Sequence, residues 1–108
     1  RRELREAADL AAPDLVDVET VAVLRKRWLA KAISDRRFAS AVADLAALDV
    51  ARYPAVHFLR RAFELRANVS ANDAMYVALA ENLGCELVTG DQRLARAPRL
   101  RCRVRVLA

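Results

Sequence analysis

The stretch SANDAMYVALAENLGCELVTGD, residues 70–91, limits the possible folds more than any other part of the chain. Ser70 is a good N-cap, Gly84 stands where a left-handed C-terminal cap belongs, and the residues between are apolar almost all round the helical wheel. A helix without a polar face must be buried on several sides. The next run, CELVT, is short, apolar and flanked by Gly84 and Gly90, which predicts a strand. A buried helix feeding a buried strand points to an α/β architecture.

The rest of the chain fits that architecture. Residues 1–10 predict a short charged helix ended by AAPD, and Asp14 is placed to cap a second helix through LVDVETVAVLRKRWLAK, with Asp17 in its first turn. A third helix is expected from Asp35 to Leu48, a short strand in DVARYP stopped by Pro54, and a helix from Ala55 to Ala67 exposing Arg60, Arg61 and Arg66. DQRLARA reads as a helical turn or two closed by Pro98. RCRVRVLA alternates strictly, placing Arg101, Arg103 and Arg105 on one face and Cys102, Val104 and Val106 on the other, as in a half-exposed edge strand. Helices alternating with strands predict a mainly parallel sheet, although few strands are visible for a complete one.

At 108 residues the chain is expected to form a single domain, 1–108, and 56% hydrophobic with 31% charged residues describes a globular protein without a disordered tail. Two glycines cannot build a Gly-rich phosphate cradle, so Walker and dinucleotide motifs are excluded. No apolar run approaches a membrane span of ~20 residues and no signal-peptide core is present, so a cytoplasmic protein with no membrane contact is expected. Cys85 and Cys102 form no CxxC pair and accompany one histidine, His57, which argues against a zinc site and predicts buried free thiols. A net charge of +5 with pI ≈ 10.0 favours a polyanionic partner.

Three carboxylates stand where apolar side chains are expected. Glu19 shares its helical arc with Leu15, Val18, Ala22 and Val23; Asp73 shares a face with Tyr76, Val77 and Ala80; Asp91 follows the CELVT strand at its carboxyl end, where open α/β sheets gather ligands. Each has a structural alternative. Glu19 could be a dipole-favoured or Arg-paired carboxylate, Asp73 could close a capping box, and Asp91 could cap the following turn. Taken together, three converging carboxylates repel one another unless a divalent cation holds them, and all-oxygen donors suit Mg²⁺ or Mn²⁺. Thr89 is placed to orient a carboxylate or a bound water, or is simply a strand threonine.

With these residues in view, SANDAMYVALAENLGCELVTGDQRLARA resembles the C-terminal half of PIN-domain ribonucleases, and more narrowly the VapC-type toxins of toxin-antitoxin pairs. The resemblance maps an Asp that opens the helix before YVALAE onto Asp73, a T-x-D-x-R-L-A segment onto Thr89 to Ala95, and the Glu of D-V-E onto Glu19. It implies a three-layer fold with a mainly parallel sheet flanked by helices. It also implies a Mg- or Mn-dependent endoribonuclease with Glu19, Asp73 and Asp91 as catalytic metal ligands and Thr89 in support, a homodimer, and an antitoxin partner. The family opens with a strand ending in a fourth acid, which nothing before Arg1 matches. The domain is therefore expected to be incomplete at its N-terminus, a trimmed or fragmentary chain whose metal binding and activity are weakened. The alternative is a catalytically inactive PIN-like or basic helical module that binds protein or nucleic acid. Its argument is the Arg-rich end, Arg93 to Arg105, where no aromatic residues interleave to stack bases. Trp28, Tyr53, Phe58 and Phe63 are expected in core or partner packing, and His57 in a structural or exposed position.

Overall fold

The computed structural model describes residues 10–107; the charged helix expected over residues 1–10 lies, but for Leu10, outside them. The chain divides into two compact units, residues 1–52 and 53–108. The mixed helix and strand content and the parallel strand pair of the second unit give an α/β fold.

In the first unit, β1 (Leu10–Pro13) pairs with β2 (Val50–Tyr53), within whose last residues the first unit ends. Between them lie α1 (Val16–Leu29) and α2 (Asp35–Ala47), which pack on each other. Leu10 to Pro13, expected as the end of a helix, is thus a strand; Pro13 is tolerated at its end because proline lacks only a ladder donor there. Leu15, not Asp14, occupies the N-cap of α1, without a side-chain bond. The helix stops at Leu29 because Lys31 turns left-handed, with φ 62°, and its N–H returns to the Trp28 carbonyl at 2.9 Å. A non-glycine residue pays roughly 1 kcal/mol for that conformation. The tie from Trp28 Nε1 to Asp35 Oδ1 at 2.6 Å holds the turn, and Ser34 caps α2 by accepting from the Arg37 N–H at 3.1 Å.

Arg52 organises the ends of this unit. Its Nε donates to both Asp17 oxygens, at 3.0 and 2.8 Å, while its terminal nitrogens donate to the carbonyls of Leu45 at 2.9 Å and Val50 at 3.2 Å. One guanidinium therefore joins a carboxylate in the first turn of α1 to a carbonyl at the end of α2 that also accepts the Leu48 N–H.

The second unit holds the core. A 3-10 turn (Ala55–Phe58) runs into α3 (Leu59–Glu64), replacing the single helix expected to Ala67. Then come α4 (Ala71–Leu83), β3 (Leu87–Thr89), the short α5 (Gln92–Ala95) and β4 (Val104–Val106). Ser70 and Gly84 cap α4 as expected: Ser70 Oγ accepts from the Asp73 N–H at 3.1 Å, and Gly84 takes φ 65°. The next amide, Cys85 N–H, reaches back to the Ala80 carbonyl at 3.0 Å, completing the left-handed cap. Six residues of α4 are buried, Ala74, Met75, Val77, Ala78, Leu79 and Ala80, so the helix is enclosed on more than one side, as its composition requires. Its alanines let neighbouring elements approach closely, and Leu65, Leu87 and Leu94 close around Val77 and Ala80.

β3 and β4 run parallel in the register Leu87↔Val104, Val88↔Arg105 and Thr89↔Val106. The alternation read from RCRVRVLA holds, with Arg101, Arg103 and Arg105 exposed and Cys102, Val104 and Val106 half-buried, although only three residues form ladder. Arg61, expected at the surface, is instead drawn in: its guanidinium donates to Glu81 Oε1 at 2.8 Å and Oε2 at 3.0 Å, to Glu64 at 3.0 Å and to the Arg99 carbonyl at 2.8 Å. No helix among the described residues is long and apolar enough to cross a membrane.

A candidate acidic active site

β3 ends at Thr89, and the chain turns at once through Gly90 to Asp91. The Thr89 hydroxyl accepts the Asp91 N–H at 3.1 Å, and Asp91 Oδ1 accepts the Arg93 N–H at 2.9 Å, which makes Asp91 the N-cap of α5. The capping role weighed for Asp91 is therefore real, and so is an orienting bond from Thr89, to the backbone rather than to a carboxylate. The same carboxylate meets the Arg93 guanidinium at 3.3 Å. Hydrogen bonds from the Arg93 side chain and then its backbone hold the Asp91 carboxyl below its usual range. Arg93 is 88% exposed in its side chain and Asp91 38%, so this is a solvent-screened pair that swings apart at little cost.

Asp73 sits in the first turn of α4, half-buried, with its backbone N–H engaged by Ser70. The hydrogen bond that Arg93 donates to Asp91 raises the pKa of Arg93, with the charges of Asp91 and then Asp73 adding to it. Both carboxylates belong to the second unit, Asp73 in the first turn of α4 and Asp91 after the end of β3. Arg93 carries a part that its sequence position did not reveal; the signal was the i, i+2 spacing of D-Q-R directly after a strand.

Glu19 belongs to the first unit, on the first turn of α1, and is half-buried. The inward face assigned to it is not buried: Val18 is 72% exposed and Val23 54%, and α1 has no buried residue. The arc that holds Glu19 is therefore largely exposed rather than turned into a core.

Asp73, Asp91 and the Thr89 hydroxyl are hard oxygen donors, a set whose chemistry fits Mg²⁺ or Mn²⁺ and not a soft metal. Among the described residues no group of three His, Cys, Asp or Glu side chains is gathered closely enough to hold an ion. The thiols expected to be buried are not: Cys85 is exposed and Cys102 half-buried. Of the aromatic residues, Phe58 enters the core, whereas Phe63 lies at the surface beneath the Arg66 guanidinium, 4.0 Å from its ring centre, and His57 is exposed.

A family model described as the PIN domain matches residues 1–100, across both units. The chain is 41% identical over 106 residues to Ribonuclease VapC9 of Mycobacterium tuberculosis, covering 98% of this chain and 84% of that protein. It is 40% identical over 97 residues to Ribonuclease VapC1 of the same organism, covering 89% and 73%. Against Ribonuclease VapC12, also from Mycobacterium tuberculosis, it is 40% identical over 86 residues, covering 80% and 67%. No solved structure matches the chain.

Proposed function

The chain belongs to the PIN-domain family, among the VapC ribonucleases, and from that premise we propose that it is the endoribonuclease toxin of a type II toxin-antitoxin pair, hydrolysing RNA phosphodiesters with water as the nucleophile. Residues 1–108 act as one catalytic domain in the cytoplasm. Glu19, Asp73 and Asp91 serve as ligands for Mg²⁺ or Mn²⁺, and Thr89 supports them. The observation that supports this reading is the acidic turn at the carboxyl end of β3, where the Thr89 hydroxyl accepts the Asp91 N–H and the Asp91 carboxylate caps α5 beside Arg93.

When bound, the ion would supply a water of lowered pKa and neutralise charge on the transferring phosphoryl group. The chain's own residues do the rest. Thr89 fixes the turn through the Asp91 amide, so the carboxylate leaves the strand in one orientation. Arg93 holds Asp91 ionised and, being exposed, is able to turn outward to an RNA phosphate. No side chain needs to attack the phosphorus.

The relatives' printed names call them ribonucleases, which supports RNA as substrate here. Exposed Val18, Val23 and Leu29 on α1 support covering partners, namely the cognate antitoxin and a second copy in a homodimer. A second reading, an inactive PIN-like module that binds RNA or protein through its basic surface, draws support from the lack, among the described residues, of three clustered ligands. One experiment separates the two. RNA cleavage by the full-length protein is measured against Mn²⁺ concentration for the wild type, Asp73→Asn and Asp91→Asn. The nuclease reading expects metal-dependent cleavage and a loss of at least about 100-fold in each variant. Cleavage unaffected by chelator or by Asp91→Asn removes it, and RNA binding without cleavage in the wild type leaves the module.

A further inference from the structure

The two cysteines, separated by sixteen residues in sequence, are neighbours in the fold. β3 and β4 pair first at Leu87↔Val104, and Cys85 and Cys102 each lie two residues before that pair on the segments leading into the two strands. Cys102 packs against the core cluster that holds Leu87 and Val104, whereas Cys85 is exposed. The Leu87 N–H donates to the Arg103 carbonyl at 2.9 Å, which ties the two segments together close to both cysteines. Cys85 is also pinned from the other direction by the left-handed cap of α4. Both thiols line one cavity of about 220 Å³, together with Glu81, Arg101 and Arg103.

From this juxtaposition we infer that Cys85 and Cys102 are a redox modification site, a dithiol that closes to an intramolecular disulfide when a peroxide oxidises it. Neighbouring strands lie about 4.8 Å apart, within the Cα spacing that a disulfide spans, so segments leading into paired strands bring such residues within reach. The thiols differ in access. Cys85 is exposed and meets the oxidant first; Cys102 is half-buried, and burial, followed by the charges of Glu81 and Cys85, pushes its thiol up and keeps it protonated. The Cys85 thiolate attacks one peroxide oxygen, the O–O bond breaks, and Cys85 sulfenic acid and hydroxide result. The Cys102 thiol then attacks that sulfur, the S–O bond breaks, and water leaves with the Cys102 proton as the S–S bond forms. The hydroxide takes up the proton that Cys85 released, so two thiols lose two electrons and one peroxide becomes two waters. The closed loop contains β3, Thr89, Asp91, Arg93 and α5, so oxidation tethers the segment that carries the acidic turn. The site does not depend on the nuclease reading, because neither sulfur takes part in it.

The test treats dilute full-length protein with hydrogen peroxide and maps a non-reducing tryptic digest. Expected is peptide 67–93 joined to peptide 102–103, lighter than the two reduced peptides by two hydrogens, and a rise in Tm of roughly 5–15 °C that a reductant reverses. Cys102→Ser is expected to leave Cys85 at the sulfenic acid, captured by dimedone, with no rise in Tm on oxidation. Disulfides found only between two molecules, or Cys85 driven to sulfonic acid while Cys102 still accepts an alkylating agent, overturn the inference.

Discussion

Near the end of α4 one carboxylate, Glu81, holds three pieces of the second unit at once. It accepts both forks of Arg61 from α3 and the Arg101 N–H at 2.8 Å on the approach to β4, with Glu81 only 11% and Arg61 14% exposed in their side chains. Burial pushes the Glu81 carboxyl up, yet the bonds from Arg61 and Arg101 outweigh it and leave the pKa below its ordinary value of 4.5. A carboxyl with a depressed folded-state pKa stabilises the fold fully above its unfolded value, and that contribution fades as pH falls through the lower folded value. Acid should therefore weaken the second unit just below the ordinary glutamate range. Glu81→Ala should cost about 3 kcal/mol at pH 7, by leaving Arg61 half-satisfied, and should flatten the fall in stability as pH drops below the ordinary glutamate value of 4.5; urea unfolding across that range measures both. Gly84 gives a cleaner residue-scale test. A Cβ there meets nothing within 4 Å, so Gly84→Ala should lose only the cost of a left-handed alanine, about 1 kcal/mol, and no packing.

Elements differ sharply in how firmly they are held. α4 contributes six buried residues, while α1 and α2 contribute none. Amide exchange should follow that order, slowest in the middle of α4 and fast along α1 and α2, and a protected α1 in the isolated protein would contradict it. Leu65→Ala removes a fully buried side chain from beside Val77 and should cost about 2–5 kcal/mol, read by thermal or urea unfolding. The same contrast explains what the sequence revealed. α4 was legible because its determinants are local: Ser70, a nearly uninterrupted apolar surface, and Gly84. Asp73 and Asp91 stood out in the sequence because each lies beside such a determinant, at a cap and at a strand end. The strand Leu10–Pro13 was missed because its four residues gain their character from pairing with β2 some forty positions on, which no local window contains. Arg61 was misjudged for a related reason: i, i+3 spacing discloses Glu64, but Glu81 is twenty residues away. Glu19 was correctly placed on the apolar arc of its helix, and the mistake lay in supposing that the arc is buried.

Across the whole molecule the cations are mostly arginine, with only Lys26 and Lys31 as lysines, and many of those in the last fifteen residues are exposed. Arginine binds phosphate in a two-pronged geometry and keeps its charge at any physiological pH. If RNA lies along that end, its affinity should fall with salt, and Arg103→Ala should reduce the slope of log K against log salt by about 0.7, the release expected for one contact to a single strand. Fluorescence anisotropy with a short RNA across a salt series measures this, and an unchanged slope moves the contact elsewhere. The parallel register of β3 with β4 has a further consequence, in time. A ribosome completes Thr89, Asp91 and Arg93 well before it reaches Val104, so throughout that interval β3 has no β4 to pair with. The acidic turn acquires its frame only when Val104 to Val106 have been made, and a chain abandoned earlier carries Asp91 without the strand that pairs with β3.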